Sequence, residues 1–336
     1  MDDLHSQRME TDIVASTTTF SWACPRCHVD LPTEQVAPGS YSLPLEVRSR
    51  VVHSSASLEK YAQSCPNCGL QYTATGVKSF EYPYRQLLAG LSPKRFLRWS
   101  AAQNNGYISY AMMRDASCSV DGRPDVAAFS AFIARSLTTK PHVIVDLGCG
   151  PQSQPAYLPS LPGATLVGVD PFESQWSGPF VHGAGEFLPL QSGSVDLVIA
   201  ATALDHTLDL RRALQEIARV TKAGGGLVVW DHTFPRKRDR IVALFGTLLL
   251  PRFSWEQKMR QVRSALPERV RIYDNGIVLW TPEKYADPFH EPRSRRPSWT
   301  RLLQKQITKA GYTMISEDRS WGFSHYVRED LGPSEG

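Results

Sequence analysis

Several features that define other classes of protein are scarce or missing in this sequence. It has only 6 cysteines in 336 residues, a density too low for a framework of disulfides. No apolar run reaches the length of about 20 residues that a membrane-spanning helix needs, and residues 1–4 begin no secretory signal. We found no internal repeat or low-complexity tract. We therefore expect a cytoplasmic protein without an integral membrane segment, and its 42% apolar content suits one large core plus a smaller module.

A short apolar run that ends in an acid and passes into glycines is the most informative stretch. Residues 143–151 read Val-Ile-Val-Asp-Leu-Gly-Cys-Gly-Pro. An unbroken apolar run is typical of a parallel strand buried on both faces, and the glycines allow the backbone to approach a ligand closely. Glycines also serve plain strand-to-helix turns, which is the structural alternative. The stretch predicts a cleft for a nucleoside-containing cofactor.

The segments that follow have the spacing of an α/β nucleotide-binding fold. A second apolar run ends in Asp170, 24 residues after Asp146, where such folds place the acid that pairs with ribose hydroxyls. A third apolar run covers 195–200, residues 210–220 have helical periodicity, and three glycines lead into the run 227–230. This order predicts alternating strands and helices around a cofactor site.

From about residue 143 to 232 the sequence resembles the class I S-adenosylmethionine-dependent methyltransferases. Four motifs in the family's order carry the resemblance: Asp146-Leu-Gly-Cys-Gly150, Leu204-Asp-His206, the helix 213–220 and Gly224-Gly225. The resemblance implies an α/β fold, a Rossmann-like, doubly wound and mostly parallel seven-stranded sheet. It also implies a closing hairpin that contributes one antiparallel edge strand. For this hairpin we predict a helix over 300–310 and strands at 312–316 and 324–327.

The same resemblance implies S-adenosylmethionine as cofactor and assigns its binding residues. Gly148 and Gly150 pass under the methionine moiety, Asp146 lies near its amino group, and Asp170 holds the ribose. A nicotinamide site would usually show a third glycine where this chain has Ser153. The family often places an acid where this chain has Ala184, so Glu186 is the candidate for the adenine contact. The expected cofactor-binding residues are Asp146, Gly148, Cys149, Gly150, Asp170, Pro171, Gly185, Glu186 and Ala201.

Two acid and histidine pairs follow the next two predicted strands. Asp205 and His206 come after one strand, and Asp231 and His232 come after the next, so both pairs belong at the rim where cofactor and acceptor meet. Because histidine titrates near neutral pH, it suits proton removal from a hydroxyl or amine. We predict Asp205, His206 and His232 as catalytic residues, with Asp231 and His290 lining the acceptor pocket. The structural alternative is that such residues cap a helix or close a turn.

Two Cys-x-x-Cys knuckles lie upstream of the glycine-rich stretch. Cys24 and Cys27 are separated by 37 residues from Cys65 and Cys68. Four thiolates at this spacing close a tetrahedral shell and leave no position for water, which predicts structural Zn²⁺. A redox function is less well supported, because no thioredoxin-like βαβ pattern surrounds either knuckle. The second knuckle resembles the zinc ribbon at the front of some bacterial methyltransferases, including ribosomal RNA guanine methyltransferases and tailoring enzymes.

These features predict four parts. Residues 1–20 form a disordered tail, 21–80 a zinc-ribbon-like module, 81–140 a helical cap or linker with a helix over 125–137, and 141–330 a methyltransferase domain. An insertion at 235–297 is expected to shape the acceptor pocket.

The insertion is basic. Fourteen Lys or Arg face seven Asp or Glu over residues 236–296, in a chain whose net charge is +4. An anionic small acceptor, nucleic acid, a membrane surface or a merely solvated helix face would each account for these charges. Residues 287–290 resemble an element of methyltransferases that act on sugars and secondary metabolites. We therefore predict methyl transfer to a small, possibly anionic or glycosylated metabolite. An RNA base methyltransferase and a non-catalytic cofactor-binding adaptor are the alternatives.

Overall fold

The fold was obtained as a computed structural model, and nine segments of the chain are described. They are residues 21–31, 63–112, 124–137, 143–151, 153–159, 161–231, 270–273, 276–279 and 299–330, with the backbone alone for 105–112, 270–273 and 276–279. The predicted disordered tail at 1–20 and most of the predicted insertion lie outside these segments.

Twelve strands and five α-helices lie within the described segments. The strands are β1 (Gln63–Ser64), β2 (Gln71–Thr75), β3 (Ser79–Glu81), β4 (Val143–Leu147), β5 (Thr165–Asp170), β6 (Phe180–His182), β7 (Val195–Ala201), β8 (Thr221–Trp230), β9 (Val270–Tyr273), β10 (Gly276–Leu279), β11 (Tyr312–Asp318) and β12 (Phe323–Arg328). The helices are α1 (Tyr84–Leu91), α2 (Pro93–Met112), α3 (Pro124–Ser136), α4 (Leu210–Val220) and α5 (Trp299–Lys309). The helices predicted over 125–137, 210–220 and 300–310 are thus confirmed.

Ten of the strands form one sheet in the order β1-β2-β3-β6-β5-β4-β7-β8-β12-β11. The seven strands from β6 to β11 in this order make up the predicted seven-stranded sheet, with parallel pairing from β6 through β8. The predicted fold class is therefore confirmed. Three strands that precede this sheet in the chain lengthen it at the β6 edge, and β3 pairs with β6 in parallel.

The sheet is covered on both faces because its central strands are apolar at successive positions. All five residues of β4 are buried. Val143, Val145 and Leu147 belong to one hydrophobic cluster with residues of α4 and α5, whereas Ile144 belongs to a second cluster with residues of α3. Successive side chains of a strand point to opposite faces, so these two clusters are the two layers of a doubly wound domain.

The crossover from β4 to β5 has no helix in its described part. Prolines occur at 151, 155, 159 and 162, and residues 148–151, 153–159 and 161–164 form turns and bends. A proline in a helix interior removes a hydrogen bond and clashes with the preceding turn. Because they recur every three or four residues, these prolines exclude an α-helix. Tyr157 and Leu158 from this loop pack into the second cluster instead.

The closing hairpin differs from the prediction in one respect. Strands β11 and β12 form at the predicted places, and β12 runs antiparallel to both β8 and β11. However, β12 lies one position inside the edge and β11 is the edge strand. The expectation that the antiparallel strand is the edge strand was therefore wrong. The chain reaches the outer position first, through α5, and then returns between β8 and β11.

Two further observations concern the remaining segments. Strands β9 and β10 form a separate antiparallel hairpin within the predicted insertion. Among the described residues, no helix is long and apolar enough to cross a bilayer.

Candidate cofactor and acceptor site

The glycine-rich loop after β4 is held against β5 and the loop after β7. Gly148 and Gly150 both have a φ of 74°, a left-handed conformation that residues with a Cβ rarely adopt. A Cβ on Gly148 would stand 2.6 Å from the Cβ of Ala203, so glycine is also required there by close approach. The amide of Gly148 donates to the carbonyl of Val169 at 2.8 Å.

Asp170 meets this loop directly. One oxygen of its buried carboxylate accepts the N–H of Gly150 at 3.0 Å, and the other accepts the N–H of Phe172 at 2.9 Å. Burial raises the pKa of Asp170 to about 6, although these two backbone hydrogen bonds act in the opposite direction. The structure therefore brings together Gly148, Gly150 and Asp170, three residues that the sequence predicts for cofactor binding.

Asp146 lies at the end of β4 and is 1% exposed. The hydroxyl of Tyr157 lies 3.0 and 2.9 Å from its two carboxylate oxygens. Burial raises the pKa of Asp146 to about 7, and the charge of Asp170 acts in the same direction. Two buried carboxylates thus lie close together beneath the glycine loop, an arrangement that suits a cationic ligand.

The other predicted cofactor residues have mainly structural contacts in the described part of the chain. Cys149 is buried, and burial raises the pKa of its thiol. Ala201 is buried at the end of β7. Glu186 accepts the N–H of Asp209, the residue before α4, at 3.0 Å, and burial raises the pKa of Glu186 to about 7. Gly185 faces the side chain of Leu147. Their cofactor contacts stay predictions.

Asp205 and His206 lie in a single 3-10 turn, Leu204–His206, at the carboxyl end of β7. The imidazole Nε2 of His206 is 3.8 Å from the carboxylate of Asp205. The backbone carbonyl of His206 accepts hydrogen bonds from Trp99 at 2.7 Å and from Gln103 at 3.2 Å, both in α2. The imidazole is 27% exposed, so it remains accessible while its backbone is fixed by the cap helix.

Asp231, predicted for the acceptor pocket, connects β8 to α5. Its carboxylate accepts the indole N–H of Trp299 and the hydroxyl of Thr300, each at 3.0 Å. Burial raises the pKa of Asp231 to about 6, although both hydrogen bonds oppose the rise and the charge of Asp205 adds to it. The other predicted residues of this half, His232 and His290, lie outside the described residues.

The four predicted zinc ligands come together in the structure. The ligand atoms of Cys24, Cys27, Cys65 and Cys68 all lie within 4.8 Å of one another. The Sγ atoms of Cys24 and Cys68 are 3.6 Å apart, and those of Cys27 and Cys65 are 3.5 Å apart. Four sulfurs at the Zn–S distance of about 2.3 Å from one ion would be about 3.8 Å apart. The cluster has the size and the donor set of a tetrathiolate site.

The two knuckles have the same backbone geometry. In each, the residue after the second cysteine donates its N–H to the carbonyl of the first, from His28 to Cys24 at 2.8 Å and from Gly69 to Cys65 at 2.9 Å. His28 has a φ of 63° and Gly69 a φ of 69°. The knuckles form two equivalent turns around one position, as the paired Cys-x-x-Cys motifs predict.

Several site residues were missed by the sequence reasoning. Thr202, directly after β7, has a φ of 54°, and such a conformation in a β-branched residue is a strained outlier that often marks a functional site. Tyr82 donates to the carbonyl of Phe187 at 2.5 Å, and both Tyr84 and His182 approach the carbonyl of Pro171. No motif marks these residues, because their contacts join segments far apart in the chain.

Comparisons with known proteins agree with this geometry. Residues 145–229 match the family described as a methyltransferase domain. Over 109 residues the chain is 35% identical to demethylmenaquinone methyltransferase from Corynebacterium efficiens, which covers 30% of this chain and 43% of the relative. Over 120 residues it is 32% identical to an uncharacterized methyltransferase from Mycobacterium sp. strain JLS, covering 32% and 47%. The chain thus spans less than half the length of these curated relatives.

Among solved structures, the chain is similar to 1,6-didemethyltoxoflavin-N1-methyltransferase from Burkholderia thailandensis, crystallised with 1,6-didemethyltoxoflavin and S-adenosylhomocysteine. The identity is 14%, the TM-score is 0.39, and the match covers 69% of this chain and 90% of that one. The family match coincides with the strands that carry the glycine loop, Asp170 and the Asp205–His206 turn. Residues 145–229 are therefore similar to a methyltransferase domain.

Proposed function

We propose that this protein transfers the methyl group of S-adenosylmethionine to a small-molecule acceptor. The observation that carries the proposal is the contact between the Gly150 amide and the Asp170 carboxylate, which lies inside the matched methyltransferase region. When bound, S-adenosylmethionine would supply a methyl group on a sulfonium: an aligned acceptor atom would bond to the methyl carbon in line as the carbon–sulfur bond breaks, with S-adenosylhomocysteine as the leaving group.

In this proposal the residues of the cofactor half bind and orient. The positive φ of Gly148 and Gly150 allows the backbone to pass close under the methionine moiety. Asp170 accepts hydrogen bonds from the ribose hydroxyls. The carboxylate lone pairs that do not bind the N–H groups of Gly150 and Phe172 are available for these bonds. Asp146 supplies negative charge near the sulfonium and the ammonium group.

On the acceptor half, His206 is the residue that we propose to take a proton from the acceptor. Its imidazole is 27% exposed, and its Nε2 lies 3.8 Å from the Asp205 carboxylate, so the ring is within reach of an acceptor at the end of β7. Trp99 and Gln103 hold its backbone, so the ring is presented from a fixed point. Alignment of the acceptor and exclusion of water account for the rest of the rate increase.

The names of the matching relatives favour a small-molecule acceptor over RNA. Two Corynebacterium species have matching proteins named for demethylmenaquinone, whereas no relative given above is named for a nucleic acid. The basic stretch around Arg236, Lys237 and Arg238 lies outside the described residues. Its role in acceptor binding stays a prediction from the sequence.

We also propose that Cys24, Cys27, Cys65 and Cys68 hold a structural Zn²⁺. The support is the compact cluster of four sulfurs and the equivalence of the two knuckles. The N–H groups of Val29 and Leu70 approach the sulfurs of Cys27 and Cys68 and act to lower the pKa of these thiols; the pKa of Cys27 is lowered to about 6, whereas burial raises that of Cys68. Zinc bound there supplies folding free energy to a small module.

The test is calorimetry followed by an acceptor screen. Metal-replete protein is titrated with S-adenosylmethionine and with S-adenosylhomocysteine, and the zinc content is measured on the same sample. Methyl-labelled S-adenosylmethionine is then offered with quinones, phenols, glycosylated metabolites and total RNA in separate reactions. We expect one binding site per chain and label in an extractable small molecule.

Three other results would contradict part of the proposal. Absence of heat with both ligands contradicts the cofactor assignment. If label is incorporated only into RNA, and this incorporation falls steeply as the salt concentration is raised, RNA replaces the small molecule as the acceptor. Binding without transfer to any acceptor favours the non-catalytic adaptor.

A further inference from the structure

One backbone carbonyl beside the cofactor acid has two side-chain partners. The hydroxyl of Tyr84 donates to the carbonyl oxygen of Pro171 at 2.5 Å, and the imidazole Nε2 of His182 lies 3.1 Å from the same oxygen. Tyr84 begins α1 and His182 ends β6, so two separate elements converge on a single atom. Pro171 directly follows Asp170.

The peptide group that carries this carbonyl also holds Asp170. The carbonyl of Pro171 and the N–H of Phe172 belong to one planar unit, and that N–H donates to the Asp170 carboxylate at 2.9 Å. The C=O and the N–H lie in this plane and point to opposite sides of the C–N bond, so fixing the oxygen also fixes the direction of the N–H. The orientation of the Asp170 carboxylate depends on a peptide plane that Tyr84 and His182 keep from turning.

A row of ionisable side chains on three adjacent strands supports this arrangement. Asp170 in β5 pairs with His182 in β6, and His182 pairs with Glu81 in β3. The Nδ1 of His182 lies 3.4 Å from the carboxylate of Glu81. Because Nδ1 faces a carboxylate and Nε2 faces a carbonyl, both ring nitrogens meet acceptors. The ring of His182 is therefore held at both of its nitrogens.

We propose that Tyr84, His182 and Glu81 are positioning residues for the cofactor ribose. Tyr84 and His182 fix the peptide between Pro171 and Phe172, and Glu81 orients the ring of His182. The inference rests on the proposed function, because it takes the ribose of S-adenosylmethionine to lie on Asp170. Two of the three residues belong to the segment that joins the cysteine module to the cap helices, so that segment builds part of the cofactor site.

The variants Tyr84→Phe and His182→Leu each remove one partner of the carbonyl. His182→Gln keeps a donor of similar reach and serves as the conservative variant. Tyr312→Phe is the matched control, because the hydroxyl of this fully buried tyrosine donates to Thr221 at 2.9 Å in another part of the domain. Zinc content and thermal midpoint are measured for every variant.

The first readout is affinity for S-adenosylhomocysteine, measured by calorimetry on metal-replete protein. We expect Tyr84→Phe and His182→Leu to weaken binding by about 3- to 10-fold, the effect of one hydrogen bond. His182→Gln should regain most of the affinity and Tyr312→Phe should bind like the wild type. Competition by adenosine and by 2′,3′-dideoxyadenosine then isolates the ribose hydroxyls, and the preference for adenosine should shrink in the two weakened variants.

The second readout needs no ligand. Hydrogen exchange at the Phe172 amide reports the bond to Asp170, and we expect faster exchange in Tyr84→Phe and His182→Leu than in Tyr312→Phe. Unchanged exchange at Phe172, or an equal loss of affinity for adenosine and its dideoxy analogue, would overturn the inference. If the wild type itself binds no S-adenosylhomocysteine, the proposed function fails, while the exchange result still decides whether the peptide is held as proposed.

Discussion

The two halves of the cleft differ in what their polar groups are bonded to. On the cofactor side, Asp170 and the Pro171 peptide are held by backbone amides and by side chains from other strands and helices. On the acceptor side, the Asp231 carboxylate is bonded to Trp299 and Thr300 at the start of α5. The Asp170 carboxylate is thus bonded to backbone amides of the adjacent loops, whereas the Asp231 carboxylate is bonded to side chains of the C-terminal helix.

This contrast indicates that the geometry around Asp170 is fixed before a ligand binds. A cofactor shared by a whole family requires one fixed geometry, and preorganised donors and acceptors reduce the free energy lost on binding. Burial raises the pKa of Asp146 to about 7 and that of Asp170 to about 6, and a ligand with a sulfonium and an ammonium group supplies the missing positive charge. On the acceptor side, Asp205 and His206 lie inside the matched region, whereas Asp231 lies just beyond its end.

The largest expected effect comes from removing the metal site. Cys65→Ser should reduce the free energy of unfolding of the module by more than about 3 kcal/mol, since zinc binding and folding of such modules are coupled. Hydrogen exchange should lose protection at β3 and β6 while β8 and β12 keep it, and affinity for S-adenosylhomocysteine should fall at least tenfold. Cys118→Ser, at a cysteine that is not one of the four predicted ligands, is the control. Equal protection losses in β3 and β12 would contradict a selective effect on the cofactor half.

Replacing Asp170 or Asp231 by asparagine, one at a time, should affect cofactor binding and stability separately. Asp170→Asn should weaken S-adenosylhomocysteine binding by about 10- to 100-fold, because a hydrogen bond to a charged group contributes about 1.5–3 kcal/mol. Asp231→Asn should instead lower the free energy of unfolding by about 1–2 kcal/mol through its bonds to α5, with cofactor affinity within twofold of the wild type. Calorimetry and denaturant unfolding measure the two effects. If Asp231→Asn weakened cofactor binding as much as Asp170→Asn, the division into halves would be wrong.

The pH dependence should differ between ligand-free and bound protein. The folded pKa values of Asp146 and Asp170 lie above the ordinary value of 3.8, so the ligand-free folded state binds more protons than the unfolded state. Its stability should fall as pH rises from about 4 to 7, whereas affinity for S-adenosylmethionine should rise as the pH passes 6 to 7. Asp146→Asn should flatten both curves. Thermal unfolding and calorimetry at pH 5.5 to 8 test this, and flat wild-type curves would contradict it.

The smallest expected effect lies at the boundary between the halves. Thr202→Gly should raise the free energy of unfolding by about 0.5–1 kcal/mol, because glycine adopts a positive φ without the penalty of a Cβ but loses more entropy on folding. Thr202→Ala keeps the strained backbone and should give no gain. A gain in stability with unchanged methyl transfer would show that the strain serves neither half.

The parts that the sequence predicts are those encoded locally. Val143–Leu147 is buried at every position, and its apolar residues around Asp146 mark it as a buried strand. The two Cys-x-x-Cys turns are each complete within five residues. The hydrogen bond from Tyr157 to Asp146 is not predictable this way, since it depends on how a proline-rich loop folds back on the sheet. The proline spacing at 151, 155, 159 and 162 was a usable signal that this crossover has no helix.

The contacts of Tyr84 and His182 with the carbonyl of Pro171 could not be predicted from the sequence for a different reason. Tyr84 is 87 residues from Pro171, and only the pairing of β3 with β6 brings the two together. Nothing in the composition of Ser79–Glu81 identifies its partner strand. For Asp231 the opposite holds. The sequence predicts that it follows a strand, and it does follow β8, but its hydrogen-bond partners Trp299 and Thr300 could not be predicted.

The parallel pairing of β3 with β6 has a consequence for synthesis on the ribosome. Ser79 pairs with Phe180, a residue that is translated about 100 residues later. At about 5–20 residues per second, the early strand waits roughly 5–20 seconds for its neighbour. During that interval its hydrogen-bonding edge has no partner strand from β6, so a nascent chain that captured zinc early would protect the segment until the rest of the sheet arrives.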